Sequence, residues 1–261
     1  MTVTDAFIAL VQGPENALAL DHAALLMAAH ASPGMDVSAQ LDRIDDLAAR
    51  CPEPTLDGLC HLLFDDMGLA GDVEDYRDPR NSFLDQVLDR RRGIPISLSV
   101  LMMEVGRRVG VPLEGVGLPG HFLVRHTAAP RVLIDPFHGG RMLDAEQAAS
   151  LFTNLFGSSA TMPASVLVEG ARPRAILARM LANLKRSYLD LGEFEGLIWA
   201  ARLRAAIPGV DANEMAELAQ LLVNMGRFGE AADALEEVAA GAGERGSRLR
   251  AQAKGLRARL N

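Results

Sequence analysis

The sequence is poor in aromatic residues, poor in cysteine and without an excess of positive charge, and each shortage removes a class of protein. Aromatics make up 5% of the 261 residues, too few for a β-sandwich packed on tyrosine and tryptophan, so aliphatic side chains on helices are the expected core. Two cysteines, Cys51 and Cys60, in a chain of this length do not make the disulfide framework of a small secreted domain, and both are read as reduced, packed thiols. A net charge of −8 opposes nucleic-acid binding, whose affinity comes from Lys and Arg displacing condensed counterions. The tail is the local exception: Arg245, Arg248, Arg250, Lys254, Arg257 and Arg259 stand against Glu244 alone, a pattern read as a solvated helix face. Gln12, Glu15 and Asp21 interrupt the apolar residues of the start, and no basic segment opens it. Neither a signal peptide nor a membrane span is expected, and the chain is read as cytoplasmic.

What is present is enough apolar material, 49% of residues, to bury a proper core. Apolar residues recur at helical spacing over 17–31 and 37–50, with Pro33, Gly34, Pro52 and Pro54 between and after them. Thr55 is a candidate cap for a third helix that ends at Gly68, and Ser82 for a fourth carrying Phe83, Val87 and Leu88. Between them, 71–81 is polar and rich in Asp, Arg and Pro, so a loop is expected. After Arg91-Arg92-Gly93, Pro95 suits the first turn of a long apolar helix that Gly110 closes. Beyond Pro112 the pattern changes to strands, and 121–125 with 131–135 form a predicted hairpin. A turn centred near Ala128 places His121 opposite Asp135 and Leu123 opposite Leu133. Helical sequence follows over 146–156, and Pro163 and Pro173 bracket an expected linker.

A repeat occupies the last third. Leu184, Tyr188, Gly192, Phe194 and Ala200 recur as Leu218, Leu222, Gly226, Phe228 and Ala234, each 34 residues on. That is the tetratricopeptide period, in which each unit is helix, turn, helix. The expected division is therefore 1–170, an α+β and mostly helical domain with its N-terminal helices, and 171–261, an all-α repeat module with a capping helix. Two units rarely stand alone, so a shared interface is expected between the parts.

Chemistry concentrates in the middle of the chain. Gly93-Ile94-Pro95, a helix, Arg108-Val109-Gly110-Val111-Pro112, Gly120-His121-Phe122 and Leu133-Ile134-Asp135-Pro136 together resemble the transglutaminase-like core of the papain-type superfamily. The resemblance implies a Cys at the start of the core helix, a His heading the next strand and an Asp that orients the His. A helix N-terminus stabilises a thiolate, the imidazole exchanges protons with it, and the carboxylate fixes the tautomer. His121 and Asp135 match; the Cys position falls on Pro95. Asp78-Pro79-Arg80-Asn81-Ser82, Arg91-Arg92-Gly93-Ile94-Pro95-Ile96 and Gly120-His121-Phe122-Leu123-Val124 further resemble the SirB1 family. That resemblance implies a transglutaminase-like domain joined to a tetratricopeptide-type C-terminus, with Pro at the nucleophile position throughout.

No other residue replaces the thiol. Ser97 is rotated roughly 200° from Pro95 on the helix and Ser99 lies one turn deeper, while Cys51 and Cys60 belong to the N-terminal helices. His61, His126 and His138 are read as lacking companion carboxylates at metal-ligand spacing, and His22 with His30 is not an i, i+4 pair, so no metal and no cofactor are expected. The glycines at 115, 117 and 120 have no following lysine and are read as strand and turn features, not a phosphate loop. Arg80, Asn81, Ser82, Arg91 and Arg92, with Phe122 and Phe137, are the candidate lining of a cleft; donors there suit a carboxylate or a partner's backbone, or pair with Asp75, Asp85 or Asp89.

Two functions compete. One is a non-catalytic binding or regulatory scaffold that holds a peptide or protein partner in the cleft and on the repeat surface. The other is an amide or ester hydrolase or transferase in which His121 activates water, Asp135 orients it, and Asn81 or backbone amides assist. Direct DNA contact would need the basic tail to act alone.

Overall fold

The structure, a computed structural model, describes residues 2–156, 170–210, 213–240 and 243–260. Four helices open the chain: α1 (Val3–Gln12), α2 (Leu20–Ala31), α3 (Val37–Ala49) and α4 (Leu56–Cys60), the last running into a π-helical turn over His61–Asp66. Thr55 caps α4 as its sequence position suggests, its hydroxyl accepting from Gly58 N at 3.1 Å. Gly68 ends the π-helical turn with φ of +67°. The polar stretch that follows holds β1 (Ala70–Gly71) and a 3-10 turn over Pro79–Ser82. Here the expected cap moves: Asp78 starts the 3-10 turn by accepting from Arg80 N, Ser82 is buried inside that turn, and Phe83 precedes α5 (Leu84–Arg90).

Arg91 takes φ of +57°, and the chain then forms β2 (Arg92–Gly93), paired in parallel with β1. Helix α6 (Pro95–Val109) follows with proline at its first position, where the missing N–H costs nothing. Gly110, at φ of +82°, ends it. Every residue of α6 from Pro95 to Gly106 is buried, so this helix is the axis of the molecule.

Four antiparallel strands lie against it in sequence order: β3 (Leu113–Leu118), β4 (His121–His126), β5 (Leu133–Asp135) and β6 (Arg141–Leu143). Pro119 and Gly120 make a two-residue turn between β3 and β4, with Gly120 at φ of +67°, the pairing a type II turn demands. Alternate residues divide between two cores. Phe122, Val124 and Ile134 join the main cluster with α6, whereas Val116, Leu118, Leu123, Leu133 and Leu143 pack on Ala148 of α7 (Ala145–Phe156). Burial on both faces explains why Phe122, Leu123 and Val124 are consecutive apolar residues in β4. Strands β4 and β5 pair as expected, but Val124 faces Ile134 and Arg125 faces Leu133. The register differs by two residues from the one the turn at Ala128 implied. A shift of two keeps every side chain on its face, so Asp135 becomes the diagonal neighbour of His121.

The C-terminal module is all helical: α8 (Pro173–Leu191), α9 (Phe194–Ala205), α10 (Glu214–Asn224), α11 (Phe228–Ala240) and α12 (Gly243–Arg257). Pro173 starts α8, while Pro163 lies outside the described residues. Gly192 and Gly226, 34 positions apart, turn the chain at φ of +72° and +75°, and Leu184, Ala200, Leu218, Leu222 and Ala234 are all buried. The expected free basic face of the last helix is partly paired, because Arg257 reaches Asp233 at 2.6 Å and Glu236 at 2.9 Å on α11.

The two parts share one apolar cluster, from Phe7 and Leu25 through Val100 to Leu177, Leu184 and Leu197. Polar contacts reinforce it: Arg174 on α8 donates to the carbonyls of Val11 and Gly13 at the end of α1, and Arg77 pairs with Asp190. His30 of α2 stacks on Trp199 of α9 with ring centroids 5.1 Å apart, and its Nε2 is buried without a hydrogen-bond partner. Burial holds the His30 pKa below its ordinary value. The unfolded chain therefore takes up this proton first on acidification. The stability that neutral His30 provides is complete above about pH 6.5 and is lost as pH falls through the lower folded value. Urea unfolding of wild type and His30→Phe at pH 7.5 and 5.5 should show the smaller loss of stability on acidification in the variant.

Candidate functional site

His121 and Asp135 meet at the end of the sheet, and both are buried. His121 Nε2 lies 2.9 Å from Asp135 Oδ2. The carboxylate is the hub of a wider cluster: Oδ2 also meets His138 Nδ1 at 2.7 Å, and Oδ1 accepts from the backbone amides of Phe137 and His138 at 3.1 and 3.3 Å. Asp-Pro-Phe-His makes this possible, because Pro136 starts a 3-10 turn (Pro136–His138) that folds the two amides and the imidazole back over the side chain. Burial works to raise the Asp135 carboxyl, but the hydrogen bonds and positive charge of His121 and His138 outweigh it and hold the group below the ordinary carboxylate range.

The reading of His138 as lacking a carboxylate at ligand spacing is thus corrected, whereas His61, whose Nδ1 lies 3.0 Å from Asp65 one helical turn on, has a carboxylate neighbour but belongs to no such cluster among the described residues. The Asp-x-x-His spacing of Asp135 and His138 was the available signal. With it falls one ground for expecting no metal: His121, Asp135 and His138 offer three ligand atoms within 4.8 Å of one another. Two imidazoles and a carboxylate suit a divalent transition metal, although the two imidazole contacts of Asp135 are equally complete as hydrogen bonds.

A cleft of about 220 Å3 opens beside His121, lined by Tyr76, Pro95, Ile96, Pro119, Gly120, Phe122, Arg179 and Asn183. Pro95, at the head of α6, therefore shares this space with the imidazole. Phe137 stands edge-on to His121 at 6.0 Å and to Tyr76 at 5.8 Å. It fits because residue 71 is glycine; a Cβ there would come within 2.4 Å of the ring. Phe122 is buried and leaves the same mark on Gly115, whose Cβ would approach it to 2.6 Å. The Arg179 guanidinium, from α8, sits 5.4 Å over Phe122 and donates to the carbonyls of Leu118 and His121. Sequence patterns did not point to Arg179, Asn183 or Tyr76, which arrive from a distant helix and an irregular loop.

The other candidates lie elsewhere. Asn81 is fully buried, its amide donating to Asp75 O and accepting from Arg90, while its backbone carbonyl accepts from Ser97 Oγ at 2.5 Å and Ile94 N at 3.2 Å. The Asp-Pro-Arg-Asn-Ser segment thereby anchors the head of α6. Arg80 pairs with Asp78, and Arg90, not singled out in the sequence, bridges Asp72 and Asn81. Arg91 and Arg92 are exposed, with Arg92 reaching the carbonyls of Gly68 and Arg91. Of the expected cleft residues only Phe122 lines the cleft at His121; Arg80, Asn81, Ser82, Arg91, Arg92 and Phe137 do not.

No thiol serves the site. Cys51 and Cys60 are both free, neither lines the cleft, and burial, with Asp57 and Asp65 adding to it, pushes the Cys60 thiol up to about 11, too high for a thiolate at neutral pH. Ser97 is engaged at the helix head, and the Ser99 hydroxyl is buried without a partner.

Comparison with known proteins agrees with this geometry. Residues 35–182, more than half of the chain, match the transglutaminase-like superfamily. The chain belongs to that superfamily. It is 43% identical over 136 residues to a UPF0162 protein of Xylella fastidiosa, covering 51% of this chain and 48% of that protein. A UPF0162 protein of Pseudomonas aeruginosa is 33% identical over 184 residues, 67% of each chain. Human F-box only protein 21 is 34% identical over 151 residues, 54% of this chain and 22% of that protein. The match thus spans about half the length of the Xylella relative, and no solved structure matches. This is a mostly helical transglutaminase-like protein with a small antiparallel sheet, an all-helical C-terminal module and no Cys at the catalytic position. Among the described residues no helix is long and apolar enough to cross a membrane.

Truncating the hub should cost far more than truncating its exposed partner. Asp135→Ala leaves two imidazoles and two amides without their acceptor and should destabilise by about 3 kcal/mol. His138→Ala, whose side chain is half exposed, should cost less than about 1 kcal/mol. Urea unfolding at pH 7 compares the two. Because the Asp135 carboxyl is held low, its contribution is complete above about pH 4 and is lost as pH falls through the folded value.

Proposed function

We propose that this chain is a non-catalytic transglutaminase-like protein of the SirB1 type that binds an extended peptide segment of a partner protein in the cleft beside His121. The observation that carries the reading is Pro95 in the nucleophile's place, sharing the cleft with an intact, buried His121–Asp135 pair. A papain-type cleft is shaped to receive an extended chain, and losing the nucleophile removes covalent chemistry without removing that shape. Tyr76, Arg179 and Asn183 supply polar groups beside Pro95 and Pro119, a few convergent polar groups of the kind that orient a bound chain. The 34-residue spacing of Gly192 and Gly226 supports a tetratricopeptide-type module from 171 to 261, beside a first domain over 1–170, as a second partner-binding surface. With its partner a protein, the chain acts in the cytoplasm as a regulatory scaffold.

The hydrolase reading loses one of its parts, since the Asn81 amide that would have assisted is engaged with Asp75 and Arg90. The test is a fluorescein-labelled peptide library measured by anisotropy against wild type and Pro95→Trp, which fills the cleft. Binders are expected to weaken at least tenfold, about 1.4 kcal/mol, in the variant, and mass spectrometry should find them uncleaved. Cleavage by wild type that disappears in His121→Ala would establish the hydrolase instead.

A further inference from the structure

The strongest unabsorbed feature is a basin of about 740 Å3 on the far side of Arg179 from the cleft. Arg172, Arg174, Arg179 and Arg204 all line it, with Glu15 as the one carboxylate in its lining, among Ala175, Ala178 and the turn at Pro208. In a chain of net charge −8, four guanidinium groups around one cavity run against the general composition. Their pairing decides whether the charge is available. Arg204 is neutralised by Glu214, and Glu15 accepts from the backbone amide of Arg174. Arg174 and Arg179 otherwise contact neutral carbonyls, those of Val11, Gly13, Leu118 and His121. Such contacts fix a guanidinium in place without cancelling its charge. Arg172 is exposed, and its side chain makes no hydrogen bond or ion pair among the described residues.

The guanidinium groups of Arg172, Arg174 and Arg179 therefore stand without an ion-paired carboxylate, and that of Arg179 is half-buried at the junction of the two cavities. An uncompensated cation at such a site is unfavourable until an anion reaches it. Burial accordingly depresses the Arg179 pKa, with only the Tyr76 hydroxyl opposing. Arg179 belongs to both the basin and the His121 cleft, so the two cavities meet at its guanidinium. Asn183, four residues further along α8 on the cleft side, has an amide with no partner among the described residues. An amide offers one acceptor and two donors, which matches the backbone of an extended chain.

We infer that cleft and basin form one site for an acidic peptide: its backbone meets Asn183 beside His121, and its carboxylate side chains meet Arg179 and then Arg172 and Arg174. This rests on the peptide-binding reading above and adds the chemistry of the ligand. Bidentate guanidinium–carboxylate pairs supply selectivity, and the partly open basin makes binding salt-dependent.

The experiment is fluorescence anisotropy with labelled hexaglutamate, a neutral glycine–serine hexamer and hexalysine, at low and at roughly 0.3 M salt, with unlabelled tripolyphosphate as competitor. Variants are Arg172→Gln, which disturbs no contact, and Asn183→Leu, each checked for folding by circular dichroism and melting temperature. Saturable binding of hexaglutamate alone is expected, weakened at least fivefold by either variant and by salt. Equal affinity for the neutral hexamer, or binding unchanged in Arg172→Gln, overturns the inference. So does tight binding of tripolyphosphate without hexaglutamate, which would make the basin a phosphate site. If neutral or basic peptides bind and are lost in Pro95→Trp, the peptide reading stands and only its acidic character falls. If no peptide binds at all, both fall.

Discussion

A carboxylate buried at Asp135 is the constraint on which the centre of this structure depends. A charge removed from water needs donors on both oxygens, and the chain meets that need by ending β5 at Asp135 and turning at once through Pro136–His138. Two amides and two imidazoles then converge on one side chain. The same turn directs Phe137 across Gly71 and edge-on to His121, so a ring that packs behind the imidazole follows from the way one charge is satisfied. Even with the nucleophile absent, this arrangement has a stability role that keeps His121 in a fixed orientation.

The head of α6 is fixed by separate means. Asn81, locked between Asp75 and Arg90, offers its carbonyl to Ile94 and Ser97, and Pro95 follows at the first helical position. The Asp-Pro-Arg-Asn-Ser segment thus acts on the site through the backbone, from beneath the helix. From the other side Arg179 ties α8 to the carbonyls of Leu118 and His121. The C-terminal module is therefore part of the cleft, and the site is assembled from a 3-10 turn, a helix head, a strand end and a remote helix.

Those origins explain what the sequence disclosed. Motifs near one another in the chain were readable: Gly120-His121, Asp135-Pro136 and the proline at the head of α6 identified the fold and the pair at its centre. The strand register was read two residues off, and the pairing of His121 with Asp135 survived because an even shift preserves the face; the contact is diagonal, not direct. His138 was legible from the Asp-x-x-His spacing and was passed over. Asn81 and Ser82 were read as cleft lining, and Ser82 also as a helix cap, because their segment is polar, whereas folding buries both away from the cleft. Arg179 and Asn183 carry no local signal, since their role exists only once α8 packs beneath the sheet.

The central claim is that the frame of a thiol enzyme remains around an absent nucleophile, and restoring the nucleophile tests it most directly. In Pro95→Cys the new thiol should lie at the head of α6 beside His121, where helix dipole and imidazole both favour the thiolate. Following iodoacetamide alkylation of that residue against pH by mass spectrometry, with Cys60 as the internal control, should give an apparent pKa at least about one unit below the ordinary cysteine value of ~8.5. A thiol at 95 that titrates at or above that ordinary value would contradict the account, because the imidazole and the helix head would then not form a catalytic frame.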